Sequence, residues 1–137
     1  MPMAYRVDRD SRVVVAAGYG IITDDDVFGY QHEVWSRPDV AGFDELIDMT
    51  RATEIAVPSV GRVRDLAALS AAMDGTAIRS RMAIVAPDDL AFGLGRMYQS
   101  YRELNPLSTR EVGVFRTTEQ ALAFLGMEHA LVLPDLP

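Results

Sequence analysis

The chain opens on two short apolar stretches split by a polar turn. Residues 5–8 read as a strand, Asp8-Arg9-Asp10-Ser11 as the turn, and residues 12–20, with Val13, Val14 and Val15, as a second strand. Together they predict an antiparallel hairpin. The period then changes. Thr23 is an N-cap residue ahead of Asp24, Asp25 and Asp26, whose carboxylates suit the positive end of a helix dipole. Val27, Tyr30, Val34 and Trp35 share one face of that helix, and Arg37-Pro38-Asp39 ends it. Residues 45–49 are a further extended run, and residues 50–57 fit neither period.

Ser59 is placed to cap a second helix with Val63, Leu66, Leu69 and Met73 inward, stopped at Asp74-Gly75-Thr76. Residues 81–86, including Met82, Ala83, Ile84 and Val85, suit a buried parallel strand. Pro87-Asp88-Asp89 starts a third helix, on which Leu90, Leu94, Met97, Tyr98, Tyr101 and Leu104 fall together, and Asn105-Pro106 closes it. Residues 111–116 are the last strand. Thr117 or Thr118 caps a short helix with Ala121, Leu122 and Leu125 inward, ended by Gly126. The order is β-β-α-β-α-β-α-β-α, an α/β fold. Alternation of strand and helix implies parallel pairing through right-handed crossovers. No repeat or linker interrupts the chain, so residues 1–137 read as a single domain, with residues 131–137 a peripheral tail.

The 137 residues suffice for one domain with its own core. Hydrophobic residues at 49% and charged residues at 24% are ordinary globular usage. With no cysteine there is no disulfide, thiol nucleophile or thiolate metal ligand. A net charge of −7 argues against nucleic acid, which needs a basic footprint. All 13 basic residues are arginine, so lysine chemistry at a Schiff base or phosphate loop is absent. No apolar run approaches the ~18 residues of a membrane span. Met-Pro-Met-Ala-Tyr-Arg lacks the apolar core of a signal peptide. The expectation is a soluble, cytoplasmic protein.

The layout resembles a known family. A hairpin is followed by Gly-Ile-Ile-Thr-Asp-Asp-Asp-Val (20–27) and a strand ending in Leu-Ile-Asp-Met (46–49). Residues 81–99 and 114–126 continue the same order. Over residues 4–126 this is similar to the SpoIIAA-like proteins of the STAS superfamily, the fold of anti-sigma-factor antagonists, and to its uncharacterised STAS-like branch. The resemblance implies a mixed five-stranded sheet with helices mostly on one face. It also implies a binding or regulatory role rather than catalysis. The antagonists carry a phosphorylatable serine in an Asp-Ser-Ser-Gly setting. The matching stretch here is Ala56-Val57-Pro58-Ser59-Val60-Gly61, with Ser59 as the stand-in, offset by about one position. The acid and the paired serine are missing, which weakens the case for a phosphorylation switch; Ser59 also reads simply as an N-cap.

Several constellations were candidates for chemistry. Gly18-Tyr19-Gly20, with Asp48 at the next strand's tip, has the context of a dinucleotide fingerprint. Thr23 stands where the third glycine belongs, however, and three aspartates occupy the pyrophosphate position. Those consecutive aspartates splay by about 100° each on a helix and cannot converge on one ion. His32 and His129 have no spaced partners, so no metal or cofactor is expected. No nucleophile can be tied to a base and an acid, so no enzyme is expected. Asp48, Thr50, Arg51 and Arg96 form a candidate anion or ligand site at the carboxyl edge of the sheet, with Ser59 nearby.

Gly93 and Gly95 inside a helix each cost about 1 kcal/mol relative to alanine. One can allow close packing on the sheet or a neighbouring helix, and the other can face a ligand or a second subunit. Alternatively, that first turn is weakly formed, with Arg96 solvated or paired to Asp89 or Glu103. Phe92 beside Arg96 is interface-like composition. With Gly93 and Trp35 it gives the candidate surface of a homodimer. The expected function is a non-enzymatic binding or regulatory domain acting through protein–protein contact. The alternatives are a phospho-regulated switch at Ser59, like that of the anti-sigma-factor antagonists, and a carrier of small apolar, lipid-like ligands, since the superfamily is similar in architecture to CRAL-TRIO lipid-binding domains. Met73, Met82, Met97 and aromatic residues would line such a pocket.

Overall fold

β1 (Met3–Asp8) and β2 (Val13–Ile22) pair antiparallel, with Asp8 opposite Val13 and the turn held by Ser11 N–H donating to Asp8 Oδ1 at 3.0 Å. This is a computed structural model, and it describes residues 2–74, 79–127 and 131–136. There follow α1 (Asp24–Trp35), β3 (Asp44–Ile55), α2 (Val60–Met73), β4 (Ser80–Val85), α3 (Asp89–Leu104), β5 (Arg110–Phe115) and α4 (Thr118–Leu125). The sheet order is β1-β2-β3-β4-β5, and every pair after the hairpin is parallel. Three successive crossovers advance in one direction, so α1, α2 and α3 share one face. That face buries Val14, Tyr30, Val34, Ile47, Val63, Ala67, Ile84 and Tyr98. The other face buries Val13, Val15, Leu46, Ala83 and Val85 under α4.

The caps follow from the sequence. Thr23 and Asp26 form a capping box, each side chain bonding the other's backbone N–H. Ser59 Oγ accepts from Arg62 N–H at 3.2 Å, Asp88 caps α3 and Thr117 caps α4. Gly126, at φ 72°, terminates α4 in the left-handed conformation that glycine enters most cheaply.

Four expectations are corrected. The ambiguous stretch after residue 49 continues β3 to Ile55: it pairs with β2 alone, beyond the reach of β4, so its exposed polar residues hide the strand period. The buried face of α3 is Ala91, Gly95, Tyr98 and Arg102, while Leu90 and Leu104 are exposed. The buried face of α2 is Val63, Ala67, Ser70 and Ala71, rotated from the leucine stripe. Each face includes small residues, Ala91 and Gly95 on α3 and Ala67, Ser70 and Ala71 on α2, which a search for large apolar side chains passes over. The tail is not wholly peripheral either, because Leu131 is buried beneath the sheet's second face. Gly75, Thr76 and His129 lie outside the described residues.

Candidate functional site

A cavity of about 130 Å³ lies between the sheet and the three helices, toward the carboxyl ends of β2 and β3. Ile22, Ile47, Met49 and Ile55 form its sheet wall. Val27 and Phe28 of α1, Val63 and Leu66 of α2, and Leu94 of α3 close the other sides, so the lining is almost wholly apolar. Ala56 is the exposed residue of the lining, and Thr23, Asp24, Pro58 and Arg62, all half-buried, lie with it at the mouth between the first turns of α1 and α2.

Arg62 spans that mouth. Its Nε donates to Asp24 Oδ2 and its Nη2 to Asp25 Oδ1, both at 2.7 Å, and the guanidinium lies 4.2 Å from the Phe28 ring centre. The Arg62 hydrogen bond holds the Asp24 carboxyl below its ordinary range. About a third of each partner in the Arg62–Asp24 pair remains exposed, so the bridge is worth about 0–1 kcal/mol. It can open at little cost.

Polar groups gather at the buried end. Gln31 Oε1 accepts from Ser70 Oγ at 3.1 Å, and the Ser70 hydroxyl also lies 2.9 Å from the Leu66 carbonyl. Arg102 Nη1 donates to Tyr98 Oη at 2.8 Å, and Arg102 forms a buried ion pair with Asp74. Burial, above all, raises the pKa of Tyr98, so the phenol keeps its proton.

A second buried network closes the opposite end of the sheet. Glu45 Oε1 accepts from Arg110 Nη1 at 2.7 Å, and Oε2 accepts from Tyr30 Oη at 2.6 Å and Trp35 Nε1 at 3.0 Å. Arg110 also donates to Ser80 Oγ and the Phe43 carbonyl, and its guanidinium lies 4.0 Å from the Trp35 ring centre. Every strong polar group there is matched, which suits a structural clamp.

The structure does not bring Asp48, Thr50, Arg51 and Arg96 together. Asp48 follows Leu46 in the pleat, so it faces the α4 side, whereas Arg96 projects from α3 on the other side of the sheet. Asp48 Oδ1 accepts the Thr50 N–H at 2.8 Å, a local turn contact. Thr50, Arg51 and Arg96 are exposed. Ser59 is exposed and caps α2.

Gly18 and Gly20 are inside β2. Gly20, at φ 63°, stands at a bulge in the β2–β3 pairing, and a Cβ on Gly18 would strike Ile22 and Met49. Among the described residues no three His, Asp or Glu side chains are grouped to hold a metal ion.

Phe92 and Trp35 both have internal partners. Arg116 lies 4.1 Å from the Phe92 ring centre, and both rings pack against the main core. Gly93 faces open space. Of the methionines expected in a pocket, Met82 lines the cavity; Met49 does so too, whereas Met73 and Met97 do not. Gln31, Ser70 and Arg62 were missed. The first two carried a signal: each is a polar residue at a helical spacing that continues an apolar stripe, Val27-Gln31-Val34 and Val63-Ala67-Ser70.

With this geometry in hand, the chain can be set beside known proteins. No protein-family model matches the sequence, and no curated protein matches it. A crystal structure of an uncharacterised protein of the DUF3478 family, from Shewanella loihica PV-4, superposes with a TM-score of 0.54. It is described as having a SpoIIAA-like fold. The match is 19% identical and covers 90% of this chain and 93% of that one. The fold is SpoIIAA-like. The hairpin leading into a mixed five-stranded sheet with four helices agrees with the architecture expected from the sequence. No helix among the described residues is long and apolar enough to cross a membrane.

Proposed function

We propose that this SpoIIAA-like domain acts by binding rather than by catalysis, and that its ligand is a small apolar molecule held in the cavity under α1 and α2. The observation that carries this reading is the cavity: an apolar space of about 130 Å³ at the carboxyl end of parallel strands, with a mouth bridged by the weak ion pairs of Arg62 with Asp24 and Asp25. That end of an open α/β sheet is the usual place for a ligand. An apolar cavity of about 150 Å³ stays dry and takes up benzene, so the space is matched to a small ring or a short chain. The hydroxyls of Ser70 and Tyr98 at its deep end are engaged in hydrogen bonds within the fold, which supports binding over chemistry.

Titration with benzene, followed by methyl NMR, tests this. Saturable shifts of the Met49 and Met82 methyls are expected. Shifts spread over surface methyls, or none at all, would remove the reading.

A homodimer is the second reading, favoured by one observation. Ile21, Val57 and Val60 are 58%, 69% and 55% exposed, and they adjoin Ile22, Ala56 and Pro58 of the cavity lining. A second copy of the chain would cover this apolar rim. Sedimentation of the native chain and of Val57→Asp separates the two readings. A dimer that the substitution dissociates supports the second; a monomer at all concentrations rejects it.

A further inference from the structure

We infer that the cavity selects a ligand carrying one neutral hydrogen-bond acceptor, a ketone, ester or ether oxygen, and that the Gln31 side-chain amide reads it. This rests on the binding role proposed for the cavity and names the class of molecule it takes.

The two ends of the Gln31 amide carry the inference. Its Oε1 accepts from Ser70 Oγ at 3.1 Å, so the carbonyl end is used within the fold. Its NH₂ end faces Met73 Sδ, 3.7 Å away.

A thioether is a weak acceptor, and the amide has two protons to place. Gln31 is 8% exposed, so water does not freely supply the missing acceptor, and the residue lines the cavity. A buried donor short of a partner is unfavourable, and a ligand oxygen placed beside it relieves that state.

The charge pattern selects a neutral oxygen over a carboxylate. Arg102 is already matched by Asp74, and at the mouth Arg62 is flanked by Asp24 and Asp25. An anion entering there meets two carboxylates and, among the described residues of the lining, no cation without a carboxylate partner. A ligand bearing only donors gains less, because the spare capacity at Gln31 is donor capacity.

Cyclohexanone and methylcyclohexane are probes of one size that differ in the oxygen, and both are titrated into the full chain and into Gln31→Met. The substitution keeps side-chain length, and Ser70 retains the Leu66 carbonyl as its acceptor. Gln31→Met is expected to weaken cyclohexanone about tenfold while leaving methylcyclohexane within about twofold, the scale of one hydrogen bond. In the wild-type chain, the Gln31 side-chain NH₂ resonances are expected to move with cyclohexanone and to stay in place with methylcyclohexane. This second measurement stands even if the variant fails to fold. Equal effects of the substitution on both probes, or NH₂ resonances indifferent to the ketone, would overturn the inference and leave the cavity as an unselective apolar site. Failure of both probes to bind the wild-type chain would overturn the binding role itself.

Discussion

Glu45 and Arg110, 65 residues apart in the chain, meet at 2.7 Å with side chains only 2% and 6% exposed. Parallel pairing makes this possible: Glu45 stands opposite Met82 and Arg110 opposite Ser80, two residues earlier on β4 and on the same face of the sheet, so the two side chains meet across the start of that strand. Removing one partner leaves a buried charge. Glu45→Gln is expected to cost about 3–5 kcal/mol in urea unfolding. The double substitution Glu45→Leu with Arg110→Met is expected to cost much less than the two single changes summed, because neither charge remains. An additive double mutant would show that the pair is not coupled.

Tyr30 belongs to the same clamp. Burial, and then the neighbouring Glu45 charge, lift its pKa well above the ordinary 10.0, and burial also raises that of Tyr98. A raised pKa means that folding favours the protonated form. Their contribution to stability is complete below pH 10 and lost as pH rises through the folded values. In an alkaline titration followed by phenolate absorbance, two of the 5 tyrosines are expected to ionise only as the fold opens. Smooth titration of all five with far-UV circular dichroism unchanged would contradict this.

The two glycines of α3 make opposite predictions. A Cβ on Gly95 would lie 2.9 Å from Val114 Cγ1, a β-branched side chain with little freedom to turn aside. Gly95→Ala is therefore expected to destabilise by about 1–3 kcal/mol despite the better helix propensity. A Cβ on Gly93 meets nothing within 4 Å, so Gly93→Ala should stabilise by about 0.5–1 kcal/mol. Thermal unfolding of both variants measures the contrast. A stabilised Gly95→Ala would show that the sheet yields there.

Asp39 supplies a test in acid. Hydrogen bonds from Arg37, and then Arg9, lower its pKa from 3.8 to about 2. A depressed carboxyl stabilises the fold above its unfolded pKa and loses that contribution as pH falls through the folded one. The contribution is thus present above pH 3.8 and fades toward pH 2. In Arg37→Gln the carboxyl carbon of Asp39 should titrate with a midpoint shifted back up toward 3.8. An unmoved midpoint would assign the depression elsewhere.

The order of elements was legible because each depends on local chemistry. Thr23, Ser59 and Asp88 cap helices by contacts within three residues, and Val13-Val14-Val15 is a strand in almost any context. What escaped depends on residues far apart in the chain. Arg102 reads as a surface residue until Asp74, 28 positions earlier, is seen beside it. Asp48 and Arg96 both point to the carboxyl edge on paper, and only the pleat shows that the sheet divides them. The cavity was invisible for the same reason, since its walls come from three strands and three helices that no window of sequence spans.

The strand order β1-β2-β3-β4-β5 has a consequence for assembly. Each strand pairs with the one made just before it, so the sheet can grow in the order of synthesis without waiting for a distant partner. Arg110 of β5 breaks that rule by reaching past β4 to Glu45 and the Phe43 carbonyl. Any intermediate with β1 to β4 docked but β5 absent holds the Glu45 carboxylate in the interior without its counter-ion. Arrival of Arg110 neutralises it, so the penultimate species is penalised and completion of the sheet becomes nearly all-or-none.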